Sequence, residues 1–241
     1  MKYGIIADIH GNLEAFEAVI EALLRDKIND CVCVGDIVGY GANPAECIKL
    51  VKKAASSIVC GNHDACVAGW MDITYFNKAA QGAIKWTRRI LSKEDILFLQ
   101  NLGLTCKNRV FTLAHGTLDC PEAFHYMLDE DVARRTFDLM ENRVCFVGHT
   151  HKPRMFSQKN NKIALINKNK AKISKNEKII VDVGSVGQPR DGDSRASYCV
   201  YDTKSGLIEL KRCEYNVDKA REKIFKAGLP LFLAKRLMAG I

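Results

Sequence analysis

Short apolar runs alternate with amphipathic stretches through the first 150 residues. This alternation constrains the fold more than any other feature. Tyr3–Ala7, Cys31–Val34, Ser57–Cys60, Arg109–Ala114 and Val144–Val147 read as buried strands. Between the first two, Leu13, Phe16, Ile20, Leu23 and Leu24 share one face of a helix. Asn43-Pro44-Ala45-Glu46 opens a second helix, with Asn43 as N-cap, Pro44 in the first helical position and Glu46 completing a capping box. Met71–Leu91 and Lys93–Gln100 read as further helices. Strands alternating with helices mean βαβ units and a mainly parallel sheet.

After about Pro153 the texture changes. Arg154–Phe156, Ile163–Ile166, Ile179–Val183, Ala196–Tyr201 and Leu207–Cys213 are short strands with few helices between them. They predict a second, largely antiparallel sheet packed on the first. Val217–Lys226 and Leu231–Met238 finish the chain as helices, and Gln158–Lys178 reads as an exposed excursion. Nine basic residues and one acid lie between Lys152 and Lys178, so this one segment accounts for the net charge of +8. The rest is neutral and gives no evidence of a nucleic-acid-binding face. With 47% apolar and 27% charged residues the composition is that of a core-forming chain, read here as one domain over 1–241. No uncharged apolar stretch reaches the roughly 18 residues of a membrane span. The N-terminus has no signal-peptide core, so a cytoplasmic location is expected. The ten cysteines include no CxxC pair, and Cys31, Cys33, Cys60, Cys145 and Cys199 lie in apolar runs, as buried reduced thiols do.

The chemistry sits at the ends of the apolar runs. Five of the six histidines fall just after them, in Asp8-Ile9-His10, Gly61-Asn62-His63-Asp64, His115-Gly116 and Gly148-His149-Thr150-His151, and Gly35-Asp36-Ile37-Val38-Gly39 adds a carboxylate. Residues two apart in an extended chain point the same way, so Asp8 and His10 can share one ion, as can His149 and His151. The carboxyl ends of parallel strands lie on one edge, where ligands bind. Carboxylates and neutral imidazoles gathered there suit divalent metals, and carboxylates so close together call for a cation.

This motif series resembles the calcineurin-like metallophosphoesterase superfamily, whose pattern D-x-H, G-D, G-N-H-[DE], H and G-H-x-H is matched from Asp8 to His151. GDIVGYGANPAEC and VGSVGQPRDGD are similar to a bacterial and archaeal phosphodiesterase-like subgroup. The resemblance implies a four-layer α/β/β/α sandwich of two mixed sheets and a centre of two divalent ions, manganese, iron, nickel or zinc. Asp8, His10, Asp36 and His151 would hold the first ion. Asp36, Asn62, His115 and His149 would hold the second, with Asp36 bridging. Between them the ions would acidify a water to attack phosphorus. His63 would protonate the leaving oxygen. Asp64 would orient the His63 ring, or serve as a helix N-cap. The partner implied is a small phosphorylated substrate.

The serine/threonine protein phosphatases and symmetrical diadenosine tetraphosphatases resemble G-D-x-V-D-R-G and R-G-N-H-E, and both of their phosphate-gripping arginines are absent here. Arg190 is a replacement cation, or else a loop residue in a surface salt bridge with Asp191 or Asp193 nearby. His125 reads as a packed or exposed ring, and Tyr40 equally as a stacking or a packing residue. Hydrolysis of phosphodiesters or small organic phosphates is the function expected. The alternatives are a nucleotide-polyphosphate hydrolase, a protein phosphatase, a nuclease acting on short fragments, and a non-catalytic protein-binding scaffold.

Overall fold

A computed structural model describes residues 1–28 and 30–241. Strand β1 (Lys2–Ile6) leads through α1 (Leu13–Arg25) to β2 (Asp30–Cys33), and α2 (Pro44–Ala54) returns the chain to β3 (Ala55–Ile58). Both crossovers give parallel pairs, with Ile5 opposite Val32 and Val32 opposite Ser57. Helices α3 (Asn62–Ala68), α4 (Lys78–Ile90) and α5 (Lys93–Gln100) follow. Strands β4 (Thr105–Lys107) and β5 (Thr112–Ala114), α6 (Glu130–Leu139) and β6 (Val144–Val147) then begin a second sheet. The rest comprises β7 (Arg154–Lys159), β8 (Lys162–Ile166), β9 (Lys170–Lys172), β10 (Glu177–Asp182), β11 (Ala196–Asp202), β12 (Leu207–Cys213), α7 (Val217–Lys226) and α8 (Leu231–Ala239).

The two six-stranded sheets run β3-β2-β1-β11-β12-β9 and β4-β5-β6-β10-β7-β8. The fold is a four-layer α/β/β/α sandwich of mixed sheets. The halves of the chain are not segregated as the sequence texture predicts: each sheet combines parallel and antiparallel pairs, and the later strands are divided between the two. The reason is that an apolar run buried on both faces does not encode its neighbour. Strand β1 pairs parallel with β2 and antiparallel with β11, and either partner satisfies its backbone.

Continuous apolar runs are explained by burial on both faces. Along β2, Val32 and Val34 face the core between the sheets, while Cys31 and Cys33 face the helices. Along β6, Val144 and Phe146 face inward, while Cys145 and Val147 pack under α6. One outer layer is built on α1, α2 and α3, the other on α6. Ala80, Ala83, Ala220, Ile224, Leu233 and Leu237 join α4, α7 and α8 in a separate cluster. All ten cysteines are free, and the five singled out above are buried. No helix among the described residues is long and apolar enough to cross a membrane.

Side-chain caps account for most local departures from the sequence reading. The run Met71–Leu91 is not one helix: Asp72 accepts from Thr74 N and Asn77 from Ala80 N, so a short turn precedes α4. Arg109–Ala114 shortens to β5 because Asn108 accepts from the amides of Val110 and Phe111 and turns the chain back onto β4. The third strand ends at Ile58, two residues short of Cys60. Asn43 does precede α2, but its side chain donates to Glu46 at 3.0 Å, and the capping box does not form. Within Gln158–Lys178, β8 pairs with β7 and β9 crosses to the other sheet beside β12.

Phe146 is fully buried between the sheets, with ring centroids 5.6 Å from Phe111 and 5.8 Å from Tyr201. Phe146→Ala is expected to lower unfolding free energy by about 3–5 kcal/mol in urea titrations followed by circular dichroism.

Candidate metal centre

Asp8, Asp36, Asn62, His115 and His149 each lie within four residues of the carboxyl end of β1, β2, β3, β5 or β6. The two sheets bring these ends to one seam. The donors do not converge by extended geometry, as the two-residue spacing predicts. Asp8 (φ 54°), His10 (φ 51°), Asp36 (φ 53°), His149 (φ 69°) and His151 (φ 59°) all adopt the left-handed conformation. For residues other than glycine this costs about 1 kcal/mol or more each, and it persists only where surroundings impose it. Here the surroundings are hydrogen bonds: Asp8 N to Gly35 O (2.9 Å), His10 N to Asp36 O (2.9 Å), Gly187 N to Asp8 O (2.9 Å) and His63 N to Asp36 Oδ1 (2.8 Å). Two glycines make the approach possible. A Cβ on Gly61 would lie 2.1 Å from Asp36 Oδ1, and one on Gly187 would lie 1.8 Å from Ile9 O.

The donors form two groups that share Asp36. Ligand-type atoms of Asp8, His10, Asp36 and His151 lie within 4.8 Å of one another, as do those of Asp36, His115 and His149. His149 and His151 therefore fall in different groups, not on one shared ion as their spacing predicts. His151 Nε2 is 3.2 Å from Asp8 Oδ1, and His115 Nε2 and His10 Nε2 are 3.4 and 3.5 Å from Asp36 Oδ2. Nδ1 of His10, His115 and His151 faces the carbonyls of Val38, Val34 and Gln188 at 3.1, 2.7 and 2.6 Å. A carbonyl only accepts, so Nδ1 carries the proton and Nε2 points inward. His10 Nε2 and His151 Nε2 meet at 3.1 Å, two nitrogens aimed at one point.

Four buried atoms at the seam make no hydrogen bond: Asp8 Oδ1, Asp36 Oδ2, Asn62 Oδ1 and His115 Nε2. Buried orphans are costly, and oxygen and imidazole donors together suit divalent cations. This Asp/His cluster is therefore of the kind that binds metal, and the residues present fit such ions. Burial pushes the carboxyls of Asp8 and Asp36 up, but facing imidazoles, His151 for Asp8 and His115 for Asp36, outweigh it and hold both well below the usual range. Burial, reinforced by His115, lowers His149 to about 3, and burial with Arg190 nearby lowers His151 to about 4. His115 resists burial because of Asp36 and rises to about 10.

His63 lines the cleft above this seam, with its ring 4.4 Å from Tyr40 and 4.8 Å from His10 and from Phe76, and with no partner for Nδ1. Burial holds it well below the usual imidazole range. Asp64 does not orient that ring. Its oxygens accept from the amides of Ile37 (3.2 Å), Val38 (3.1 Å) and Gly61 (3.2 Å), tying the turn after β2 to the start of α3. It is not the N-cap either: Gly61 holds that place and Asp64 reaches back from the third helical position. Burial and the nearby Asp36 carboxylate raise Asp64 to about 7. Tyr40 is a packing residue, buried against His10 and His63. His125 is exposed. Arg190 is half-buried in the cleft and not in a surface salt bridge, because Asp191 pairs with Arg212 and Asp193 with Arg195.

Residues with no sequence signal complete the cleft. Tyr126 stacks on His149 with centroids 3.9 Å apart, and Trp70, Phe232 and Arg236 form its walls.

A family model for the calcineurin-like phosphoesterase superfamily domain matches residues 1–206. The chain belongs to this superfamily. An uncharacterized protein of Methanocaldococcus jannaschii is 40% identical over 240 residues, covering 98% of this chain and 97% of that protein. The crystal structure of a metallophosphoesterase from Sphaerobacter thermophilus superposes with a TM-score of 0.87 at 34% identity, covering 100% of this chain and 99% of the other. A hypothetical protein of Pyrococcus horikoshii shares the fold at 19% identity and TM-score 0.79, over 100% and 98% of the two chains. The chain thus shares its fold with bacterial and archaeal proteins.

Behind the donors, Asp182 accepts from Thr150 Oγ1 and from Gly184 N, bracing the Gly148–His151 loop. Burial raises Asp182 to about 8, above the ordinary value that the unfolded chain retains. The folded protein then holds more protons than the unfolded one between about pH 4 and 8, so this group's stabilisation is present at low pH and is lost as pH rises through that window. Asp182→Asn removes the titration. The stability difference between Asp182→Asn and wild type, from thermal melts between pH 5 and 8.5, is expected to shift in favour of the variant as pH rises.

Proposed function

We propose that the protein is a phosphoesterase dependent on two divalent ions, hydrolysing phosphodiester or small organic phosphate bonds. The observation that carries this reading is the convergence of orphaned Asp8 Oδ1, Asp36 Oδ2, Asn62 Oδ1 and His115 Nε2 at the floor of an open cleft. Asp8, His10, Asp36 and His151 would hold one ion, and Asp36, Asn62, His115 and His149 the other. Manganese, iron, nickel and zinc all suit these donors. When bound, the pair supplies Lewis acidity towards a phosphoryl group and an acidified water. Asn62 contributes a neutral oxygen, so less negative charge opposes an incoming phosphate. The Nδ1–H bonds to Val38, Val34 and Gln188 fix the rings of His10, His115 and His151 in advance of binding.

His63 is the group we assign to the leaving oxygen. Its ring is neutral in the resting site, and a bound phosphate brings negative charge that raises its affinity for a proton. Asp64 supports this role through the main chain, by holding Gly61 and the turn at Ile37 and Val38 in register. A protein phosphatase is less well supported, since the arginines that flank those motifs are replaced by Cys60 and by Gly39-Tyr40-Gly41. A binding scaffold has no need of a full donor set around Asp36.

A panel of nitrophenyl phosphate, bis-nitrophenyl phosphate, cyclic nucleotides and diadenosine tetraphosphate tests the reading. Hydrolysis is expected with added manganese and is expected to stop with a chelator. A protein shown by elemental analysis to hold its ions, yet inactive on every member, would overturn it. His63→Ala should retain the ions and lose about 10²–10⁴-fold in kcat. The loss should be smaller for nitrophenyl than for alkyl leaving groups, which need the proton more.

A further inference from the structure

Two guanidinium groups in the cleft are not used by the chemistry above. Arg190, in the loop after β10, and Arg236, on α8, line the same cavity of about 850 Å³ as Asp36, Asn62 and His63. Arg190 donates from Nη2 to Tyr40 Oη (3.2 Å) and to Gln188 Oε1 (3.0 Å), and its Nε is buried without a partner. Arg236 donates from Nε to the main-chain oxygen of Ile241. Among the described residues, no Asp or Glu side chain lies within 4.0 Å of either arginine. Arg212 and Arg195 take the acids that follow Arg190 in sequence. Burial and the charge of Arg190 lower Arg236 to about 10, the mark of two cations close enough to oppose each other's charge. Guanidinium groups in this state match phosphate oxygens in charge and donor geometry.

The cleft rim is aromatic. Trp70, Tyr75 and Phe232 line it and are 55%, 79% and 54% exposed, and Arg236 lies 5.2 Å over the Phe232 ring. Exposed rings beside paired cations favour a planar ring attached to an anion. Phe232 and Arg236 both lie outside the 1–206 segment that the family model matches.

We propose that Arg190 and Arg236 form a second anion subsite, and that the preferred substrate is a nucleotide with at least two consecutive phosphates, its base laid on the rim aromatics. This rests on the phosphoesterase reading. Water oxygen bonds to phosphorus of the phosphate lying over Asp36 and His149, and the bond from that phosphorus to the bridging oxygen breaks. The bridging oxygen leaves with its electron pair on the arginine-held phosphate and takes one water proton through His63. The other proton is released to solvent. A substrate with a single phosphate leaves the arginines without a partner.

The test uses full-length manganese-loaded protein, with calorimetric binding of the non-hydrolysable α,β-methylene ADP beside hydrolysis of ADP, tripolyphosphate and nitrophenyl phosphate. Arg236→Gln is expected to weaken methylene-ADP binding about tenfold or more, with partial recovery in Arg236→Lys. In the same variant kcat/KM should fall by that factor for ADP and tripolyphosphate, and by no more than about threefold for nitrophenyl phosphate. Phe232→Ala should weaken methylene-ADP by about threefold or more and leave tripolyphosphate within about twofold. Arg190→Gln, checked by thermal melts, repeats the test should loss of the Ile241 bond unfold α8. Equal losses on ADP and nitrophenyl phosphate, or methylene-ADP affinity unchanged in both arginine variants, would sink the subsite while leaving the phosphoesterase reading intact. Arginine-dependent methylene-ADP binding without turnover of any probe would support the subsite and overturn that reading instead.

Discussion

Asp8 and Asp36 are two carboxylates taken out of water at the seam between the sheets, 0% and 1% exposed. Unpartnered, each would cost several kcal/mol. Three imidazole nitrogens stand within 4 Å of Asp8 or Asp36, but one orphaned oxygen on each carboxylate still calls for positive charge. The rest of the architecture serves this requirement. Parallel strands from both sheets end at the same edge, and left-handed residues turn their side chains inward. Gly61 and Gly187 let neighbouring backbone come close enough to hold the carboxylates still.

One loop links that core to the cleft. After β10, Val186 N and Gly187 N donate to the carbonyls of Ala7 and Asp8, and Ser185 Oγ also donates to Asp8 O. Asn12, the N-cap of α1, donates to Gly187 O. Gln188 O receives the ring proton of His151, and Arg190 N bonds His151 O. The segment that buttresses the donors therefore also carries Arg190 into the cleft. A change of ligand geometry and a change in the cation's position are mechanically coupled. The mixed pairing of β1 with β2 and β11 delivers this loop to the metal seam from the far part of the chain.

Much of the fold was legible because burial on both faces leaves a direct mark on composition. The runs behind β1, β2, β6 and β10 are apolar without alternation, and amphipathic periodicity marks α1 and α7. The donor motifs were legible too, since Asp8, His10, Asp36, His115, His149 and His151 cluster after those runs. Sheet membership was not legible, because hydrogen bonding between strands is indifferent to side-chain type. The role of Asp64 was hidden for a related reason: its partners are main-chain amides of Ile37, Val38 and Gly61, which carry no residue identity. Arg190 was visible as a charge but not as an unpaired one. Which cation takes Asp191 and Asp193 is decided by Arg195 and Arg212, on and beside strands β11 and β12.

The sequence by itself determined which side chains are available for chemistry and that they follow buried strands, because residue type and hydrophobic period are properties of the chain alone. Only the tertiary structure decided how those side chains divide between two groups sharing Asp36, and that Arg190 and Arg236 line one cleft. Those outcomes depend on distances between segments far apart in sequence, set by the pairing of two sheets and the docking of α8.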